Sequence, residues 1–529
     1  MKMHLADNGL PRRIRALVRQ VGSETLVINL QHNKATCLNE MAASVWKLCD
    51  GKNTTSDISR TLSERHGTAV QENATRLALV QLEKAGLFST QPDHRDELQI
   101  RYTQNSYKTI KCHVFVSVTR CGFCRHSFPG CGRIVPPQWQ SLHVERTVLL
   151  RPLQSGAALW RLRKRMLGSS AIARQGKVLA LLFGGSWRNS PPLLEALPQD
   201  IEAILTTVLS SGGGALIWRR LRSMPQLSPE LAEALHISYL QSAIQAARHE
   251  AQVSQVFTAL RSAGLDPILF KGWAVARWYA EWGLRPSGDI DLLLPPEQHA
   301  LAHEVVRGPQ CKGCWVDFEH DVITKFGAGD FASLYERSEI VQVDDTQVRV
   351  LGAEDHLRIL GIHFLKHGAW RPVWLCDVAA ALESRPVKFD WNYCLGGNKR
   401  RADWVLCALQ LARELLGAEL GDTPDREQRK KIPDWLVSSV LRQWAYPHHS
   451  NLPPFENQIK NAVRRPAAFL RYLPRRWPNA VEATVDREGD FDSANPLPLQ
   501  AHYCINRAAK FLSSRSLRWS QDNPSKSDK

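Results

Sequence analysis

The 529-residue chain is 43% apolar and 23% charged, a globular balance that excludes a fibrous or wholly disordered protein and leaves room for two to four domains at about 150 residues each. Its start, MKMHLADNGLPRRIRALVRQ, has no apolar stretch behind the basic residues, and the longest apolar run, residues 178–183, is far below the ~20 residues of a membrane span, so a cytoplasmic protein with no membrane partner and reduced cysteines is expected. The net charge of +16 is local: between Leu98 and Leu194 fifteen Lys or Arg face one acid, Glu145, a net +14, which leaves the rest nearly neutral and argues against a nucleic-acid partner.

Residues 11–88 are expected to form the first domain. Val27–Leu30 and Ala35–Leu38 flank the polar Gln31–Lys34 and read as a hairpin. Asn39 opens a helix through Met41 to Leu48, closed by Asp50-Gly51. Thr54 or Thr55 caps a second helix, with Ile58 and Leu62 on one face and Gly67 as its stop. A third helix, about Gln71 to Ala85, presents Leu77, Val80 and Leu82 before Gly86-Leu87-Phe88. Such a set makes a small winged-helix-like unit, a fold that in other proteins binds DNA.

The same segment resembles the PqqD family, on Leu38-Asn39-Glu40, Trp46-Lys47-Leu48-Cys49-Asp50-Gly51, Thr54-Thr55 and Leu82-Glu83-Lys84-Ala85-Gly86-Leu87. The resemblance implies a domain that holds the leader of a ribosomally made precursor peptide, the leader adding as a strand to the sheet edge and packing on the last helix. The exposed sheet edge and the helix from Arg76 to Lys84 are then the expected groove.

Residues 91–192 follow as a basic connector, nearly free of acids and expected to lack a packed core. Cys121-Gly122-Phe123-Cys124 with Cys131 and Cys112, or with His126 in place of Cys112, supplies the four donors a structural Zn²⁺ takes. The spacing departs from the two short-spaced couples of such sites, so zinc is the lesser reading beside an unstructured linker or a degenerate stretch of sequence.

Residues 193–517 are expected to be mostly helical around one sheet, with residues 518–529 as a polar tail. Ile201–Leu209, Leu231–Leu240 and Ala246–Ala263 show helical spacing, and Gly264-Leu265-Asp266-Pro267 ends the last of them. The string ILFKGWAVARWYAEWGLRPSGDIDLLLP, residues 268–295, reads as strand, Lys271-Gly272 turn, helix from about Trp273 to Trp282, loop, and strand Asp289–Leu294. Residues two apart on a strand share a face, so Asp289 and Asp291 project together while Ile290 and Leu292 anchor the other side. Two close carboxylates repel unless a cation lies between them, and oxygen-preferring Mg²⁺ fits, with positions left for water and triphosphate oxygens. One or two such ions activate an attacking hydroxyl and stabilise departing pyrophosphate in an in-line displacement. Gly272 lets phosphate approach the backbone closely.

That string resembles an uncharacterised nucleotidyltransferase family of the polymerase-β superfamily, on Phe270-Lys271-Gly272-Trp273-Ala274, Trp278-Tyr279, Arg285-Pro286-Ser287 and Asp289 through Leu294. Leu351-Gly352-Ala353-Glu354-Asp355-His356, His363-Phe364-Leu365-Lys366-His367 and Trp374-Leu375-Cys376-Asp377-Val378 extend it, weakly as far as Arg476-Trp477. The resemblance implies Asp289 and Asp291 as Mg²⁺ ligands and Lys271-Gly272 as the loop on the phosphate side. It draws the third carboxylate from Val316-Asp317-Phe318-Glu319-His320, as Asp317 with Glu319 in reserve. Lys271, Arg285 and Ser287 are the expected NTP contacts. Only 25 residues separate Asp291 from Asp317, fewer than the family usually has and short enough to have lost a helix or strand. His363 and His367 lie four apart on an expected helix without the Glu of a zincin motif; packing accounts for at least one, and His367 is the one expected in the cleft. A second lone couple, Cys311 and Cys314, does not establish a zinc site shared with the first.

The expected protein is α+β: a small winged-helix-like N-terminal domain, then a mostly helical domain with a polymerase-β-like mixed sheet. Its expected activity is Mg²⁺-dependent transfer of a nucleoside monophosphate from an NTP to an acceptor in ribosomal-peptide modification. The rival readings are a catalytically inactive peptide chaperone and an antitoxin- or toxin-like transferase acting on RNA.

Overall fold

A computed structural model of the chain describes residues 10–14, 16–21, 24–29, 34–66, 70, 72–89, 112–114, 169–195, 201–319, 330–424, 432–445, 477–492 and 495–507. It divides into two compact units, Met1–Leu159 and Trp160–Lys529. The α+β class expected from the sequence holds.

The first unit runs β1 (Arg12–Arg13), β2 (Leu17–Val21), β3 (Glu24–Asn29), β4 (Lys34–Leu38), α1 (Glu40–Leu48), α2 (Thr55–His66), α3 (Glu72–Lys84), β5 (Phe88–Ser89) and β6 (Cys112–Val114). Strands β2, β3 and β4 form an antiparallel meander, β6 adds parallel to β4, and β1 pairs with β5. The caps follow the local chemistry. Asn39 Oδ1 accepts the Ala42 N–H at 2.8 Å, while Thr54 Oγ1 and Asp57 cap each other's backbone amides at the start of α2. Val27, Leu38, Trp46, Ile58, Leu62, Leu79, Leu82 and Leu87 make the core, and the Trp46 indole N–H donates to the Leu87 carbonyl at 2.9 Å. The inner face of α3 differs from the expected one. Thr75, Leu79 and Leu82 are buried at helical spacing, whereas Leu77, two residues from Leu79 and turned nearly to the opposite side, is 53% exposed. For the zinc reading, only the backbone of Cys112 is described, in β6; Cys121, Cys124, His126 and Cys131 lie outside the described residues.

The second unit runs α4 (Ser169–Phe183), α5 (Ile201–Ser210), α6 (Gly214–Leu221), α7 (Pro229–Ser262), β7 (Ile268–Phe270), α8 (Gly272–Ala276), β8 (Ile290–Leu293), α9 (His299–Arg307), β9 (Val316–Phe318), α10 (Phe331–Glu336), β10 (Glu339–Val343), β11 (Thr346–Val350), α11 (Ala353–Lys366), α12 (Pro372–Glu383), α13 (Trp391–Cys394), α14 (Lys399–Leu416), α15 (Asp434–Ala445) and α16 (Ala480–Asp486). Helix α4 corrects the expected connector, whose last two dozen residues are folded. Leu179, Leu182 and Phe183 are buried, and α4 lies so close on α15 that a Cβ at Gly176 would stand 2.4 Å from the Leu441 carbonyl oxygen. Just beyond it, Arg188 pairs with Glu383 at 2.6 Å.

Three further expectations change. The two helices read over 231–240 and 246–263 are one, the 34-residue α7, capped by Ser228. The helix expected from Trp273 to Trp282 stops at Ala276, and the chain then turns inward to bury Tyr279, Leu284 and Arg285. The 25-residue stretch after Asp291 carries a helical crossover, α9, between the parallel strands β8 and β9. The sheet is mixed, in the order β10-β11-β7-β8-β9, with β7 and β8 antiparallel and β11 parallel to β7. Val253, Val256, Phe257 and Leu260 of α7 pack on one face of it, against Leu269, Ile290, Leu292, Phe318 and Val350. No described helix is long and apolar enough to cross a membrane.

Candidate active site

With Ile290, Leu292 and Phe318 committed to the core, strand alternation turns Asp291, Asp317 and Glu319 to the opposite face. The ladder then sets Asp291 directly beside Asp317 across β8 and β9, and beside Phe270 across β8 and β7. Asp289 stands one residue before β8 and is exposed, and the Ile290 N–H that follows it is tied to the Trp315 carbonyl at 2.7 Å. A cleft of about 720 Å³ opens on this face. Asp289, Asp291, Asp317 and Glu319 line it, together with Lys271, Gly272, Arg285, Ser287, His363 and His367. All the residues singled out in the sequence for this site therefore border one cavity.

Asp291 is the buried member, 8% exposed. Burial pushes its carboxyl up to about 6, and repulsion from Asp289 and Asp317 adds to the rise, while Lys271, whose Nζ lies 3.1 Å from Asp291 Oδ1, opposes it. Among the described residues no three His, Cys, Asp or Glu side chains are gathered tightly enough to enclose a metal ion by themselves. The donors nonetheless suit Mg²⁺, which takes one or two protein carboxylates and fills its shell with water and phosphate oxygens. A buried carboxylate held against two others is the arrangement that such a cation relieves.

The turn before the site is strained. Lys271 has φ +55 and ψ −152, a sparsely populated backbone for a residue with a side chain, and its N–H donates to His356 Nε2 at 3.1 Å. Gly272 follows at φ +42, and a Cβ there would stand 3.4 Å from the Asp289 carbonyl oxygen and 3.5 Å from the His249 ring. His249 Nε2–H donates to that same carbonyl at 2.8 Å. Two buried imidazoles, one from α7 and one from α11, thus clamp the turn and the first carboxylate. The sequence carries His356 inside the family string without a role, and gives no local signal for His249.

Burial pushes the His356 imidazole down to about 3, against about 6.5 for a free histidine, and the Arg277 charge adds to the fall. Between these values the unfolded chain binds the extra proton, so stability present above pH 6.5 is lost as pH falls toward 3. His249 is shifted in the same direction, also mainly by burial. Urea denaturation at pH 7 and pH 5 should show the loss, and His356→Gln should reduce the slope by up to about 1.4 kcal/mol per pH unit below pH 6. Equal slopes in the two proteins would sink this account of His356.

Two family models match the chain. The model of an uncharacterised nucleotidyltransferase matches residues 198–309 and 307–417, and that of coenzyme PQQ synthesis protein D matches residues 24–87. The chain joins a PqqD domain to an uncharacterised nucleotidyltransferase domain. No curated protein and no solved structure matches it. The two parts of the nucleotidyltransferase match meet at the end of α9, between Asp291 and Asp317.

On the wall of the cleft of the nucleotidyltransferase domain lies a knot whose pairing is invisible in the sequence. Asp377, 1% exposed, receives Arg285 Nε at 3.2 Å, Arg285 Nη2 at 2.9 Å and the Tyr279 hydroxyl at 2.7 Å. Burial opposes the Arg285 charge, but the Asp377 carboxylate outweighs it and holds the guanidinium above its ordinary range. Arg285 Nη1 donates to Ser287 Oγ at 3.2 Å and to the Pro286 carbonyl at 3.1 Å, so this arginine shapes the Ser287 loop. The end of α11 and the start of α12 add His363, Lys366, His367, Arg371 and Trp374 to the lining. The two imidazoles stand 4.4 Å apart by ring centroid, each near Trp374, and burial followed by the Lys271 charge pushes both down.

Proposed function

We propose that the nucleotidyltransferase domain moves a nucleoside monophosphate from an NTP to an acceptor hydroxyl, releasing pyrophosphate. The observation that carries this reading is the meeting of Asp289, Asp291 and Asp317 with the Lys271-Gly272 turn on one cleft, across three adjacent strands. Asp289 and Asp291 would hold Mg²⁺, with Asp317 as the third carboxylate. Bound Mg²⁺ lowers the charge on the triphosphate and stabilises the oxygens of an in-line displacement. Asp317, exposed at the cleft face, would accept the proton of the incoming hydroxyl. Lys271 balances Asp291 and lies within reach of a phosphate at the Gly272 turn, and the Ser287 hydroxyl faces the same space. The PqqD domain supports a peptide acceptor, with a precursor leader held along the sheet edge and over α3, where Leu77 offers an exposed apolar contact.

Purified protein, Mg²⁺, each labelled NTP and the precursor peptide encoded with it test the proposal directly. Label should pass to the acceptor, and Asp289→Asn should cut the rate by at least about a thousandfold. Peptide binding without turnover on any NTP would leave the scaffold reading in its place.

A further inference from the structure

We infer that the corner between α11 and α12, centred on Arg371, seats the outer phosphates of the nucleotide and holds pyrophosphate as it leaves; this rests on the transferase reading of the cleft. Arg371 is fixed before it meets any ligand. Its Nε donates to the Ser211 carbonyl at 2.7 Å, and its guanidinium lies 5.6 Å from the Trp374 ring centre. Space for Nη2 comes from Gly212, at φ +79, where a Cβ would stand 2.6 Å from that nitrogen.

What this arginine lacks is an anion. Among the described residues no carboxylate stands within ion-pair distance of Arg371, whereas Arg285 is matched by Asp377. Burial lowers the Arg371 guanidinium from its usual value and Arg285 lowers it further by repulsion, while Asp377, Tyr279 and Asp289, all beyond ion-pair distance, offset only part of the fall. A cation half-withdrawn from water, held by a single carbonyl and bordering a cleft, is stabilised when an anion arrives. Lys366 and His367, from the end of α11, border the same corner, and Arg371 is itself the N-cap of the twelve-residue α12, whose first turn adds partial positive charge. The same cleft thus carries the carboxylates and this cationic corner. A triphosphate bound there would meet both, with its inner end at the carboxylates and its outer end on the arginine fork. An acceptor hydroxyl, being neutral, has no use for the corner.

Calorimetric binding of inorganic tripolyphosphate and of each NTP to the full chain, with Mg²⁺, tests the assignment. Arg371→Gln keeps a donor for the Ser211 carbonyl but removes the charge, and should weaken both ligands roughly 10- to 100-fold, with Arg371→Lys recovering part of the loss. Thermal unfolding checks that the Gln variant folds; if it does not, Lys366→Ala decides in its place, with weaker tripolyphosphate binding expected. Wild-type protein that binds neither tripolyphosphate nor any NTP overturns both this inference and the transferase reading. NTP binding that is lost in Asp289→Asn but unchanged in Arg371→Gln, or in Lys366→Ala where the Gln variant does not fold, overturns the Arg371 assignment alone.

Discussion

Asp291→Asn is expected to abolish turnover and, in the same protein, to stabilise the fold. The carboxyl is buried, and its rise to about 6 means that the native state pays to keep it ionised at neutral pH. The sign follows from linkage. A folded pKa above the unfolded value favours the native state at low pH, and that advantage is lost as pH rises through about 6. Asparagine has nearly the same shape without the charge, so on the order of 1–3 kcal/mol should return at pH 7, less whatever Lys271 loses with its partner. Turnover should fall by at least about a thousandfold, since a neutral amide oxygen is a weaker ligand than a carboxylate and leaves the site one negative charge short for a divalent cation. Urea denaturation in a chelating buffer measures the first effect, and label transfer the second. An Asn variant less stable than the wild type under chelation would refute the strain argued for this site.

The largest loss of stability is expected from Asp377→Ala. Arg285 would be left as a buried charge without a counter-ion, and the Tyr279 hydroxyl without its acceptor. Breaking one partner of such a pair costs about 3–5 kcal/mol. Replacing both members with apolar residues, as in Arg285→Met with Asp377→Leu, should recover much of it, because the knot is worth less than the penalty for half of it. The recovered fold would still lack the hydrogen bond that fixes Ser287, so NTP binding should stay impaired while the unfolding midpoint returns. Denaturation of the single and double variants settles the point; a single variant within about 1 kcal/mol of wild type would remove the knot from the account of this fold.

The carboxylates can be read from the chain because their pattern is local. Asp289, Ile290, Asp291 and Leu292 alternate within one strand, and the turn and strand before them sit less than twenty-five residues away. What holds them is not local. Arg285 reaches Asp377 across 92 residues, Lys271 reaches His356 across 85, and Arg371 reaches Ser211 across 160. A periodicity window of about 11–18 residues contains none of these pairs. Helix α4 is hidden for another reason: it sits in an acid-poor stretch, where composition points to a linker although Leu179, Leu182 and Phe183 keep helical spacing. In α7 the buried face drifts from the α6 side to the sheet side, so the apolar pattern breaks where the backbone does not. Leu77, read from the sequence together with Val80 and Leu82, is exposed, because side-chain type alone does not fix which face of α3 turns inward.

That unbroken α7 has a mechanical meaning. At 34 residues it is about 50 Å of continuous rod. Its first half is anchored by Tyr239 to Glu281 and by Ser242 to the Gly283 carbonyl, and its second half is the floor of the sheet. Such a rod leaves no hinge between the segment that leads into the cleft and the strands that carry the carboxylates. Bending would require α7 to break inside a packed interior, which is costly compared with moving a surface loop. On the side built by α7 and the sheet, the cleft is therefore a fixed gauge: on the transferase reading proposed above, an acceptor would be selected by fitting this wall rather than by bending it.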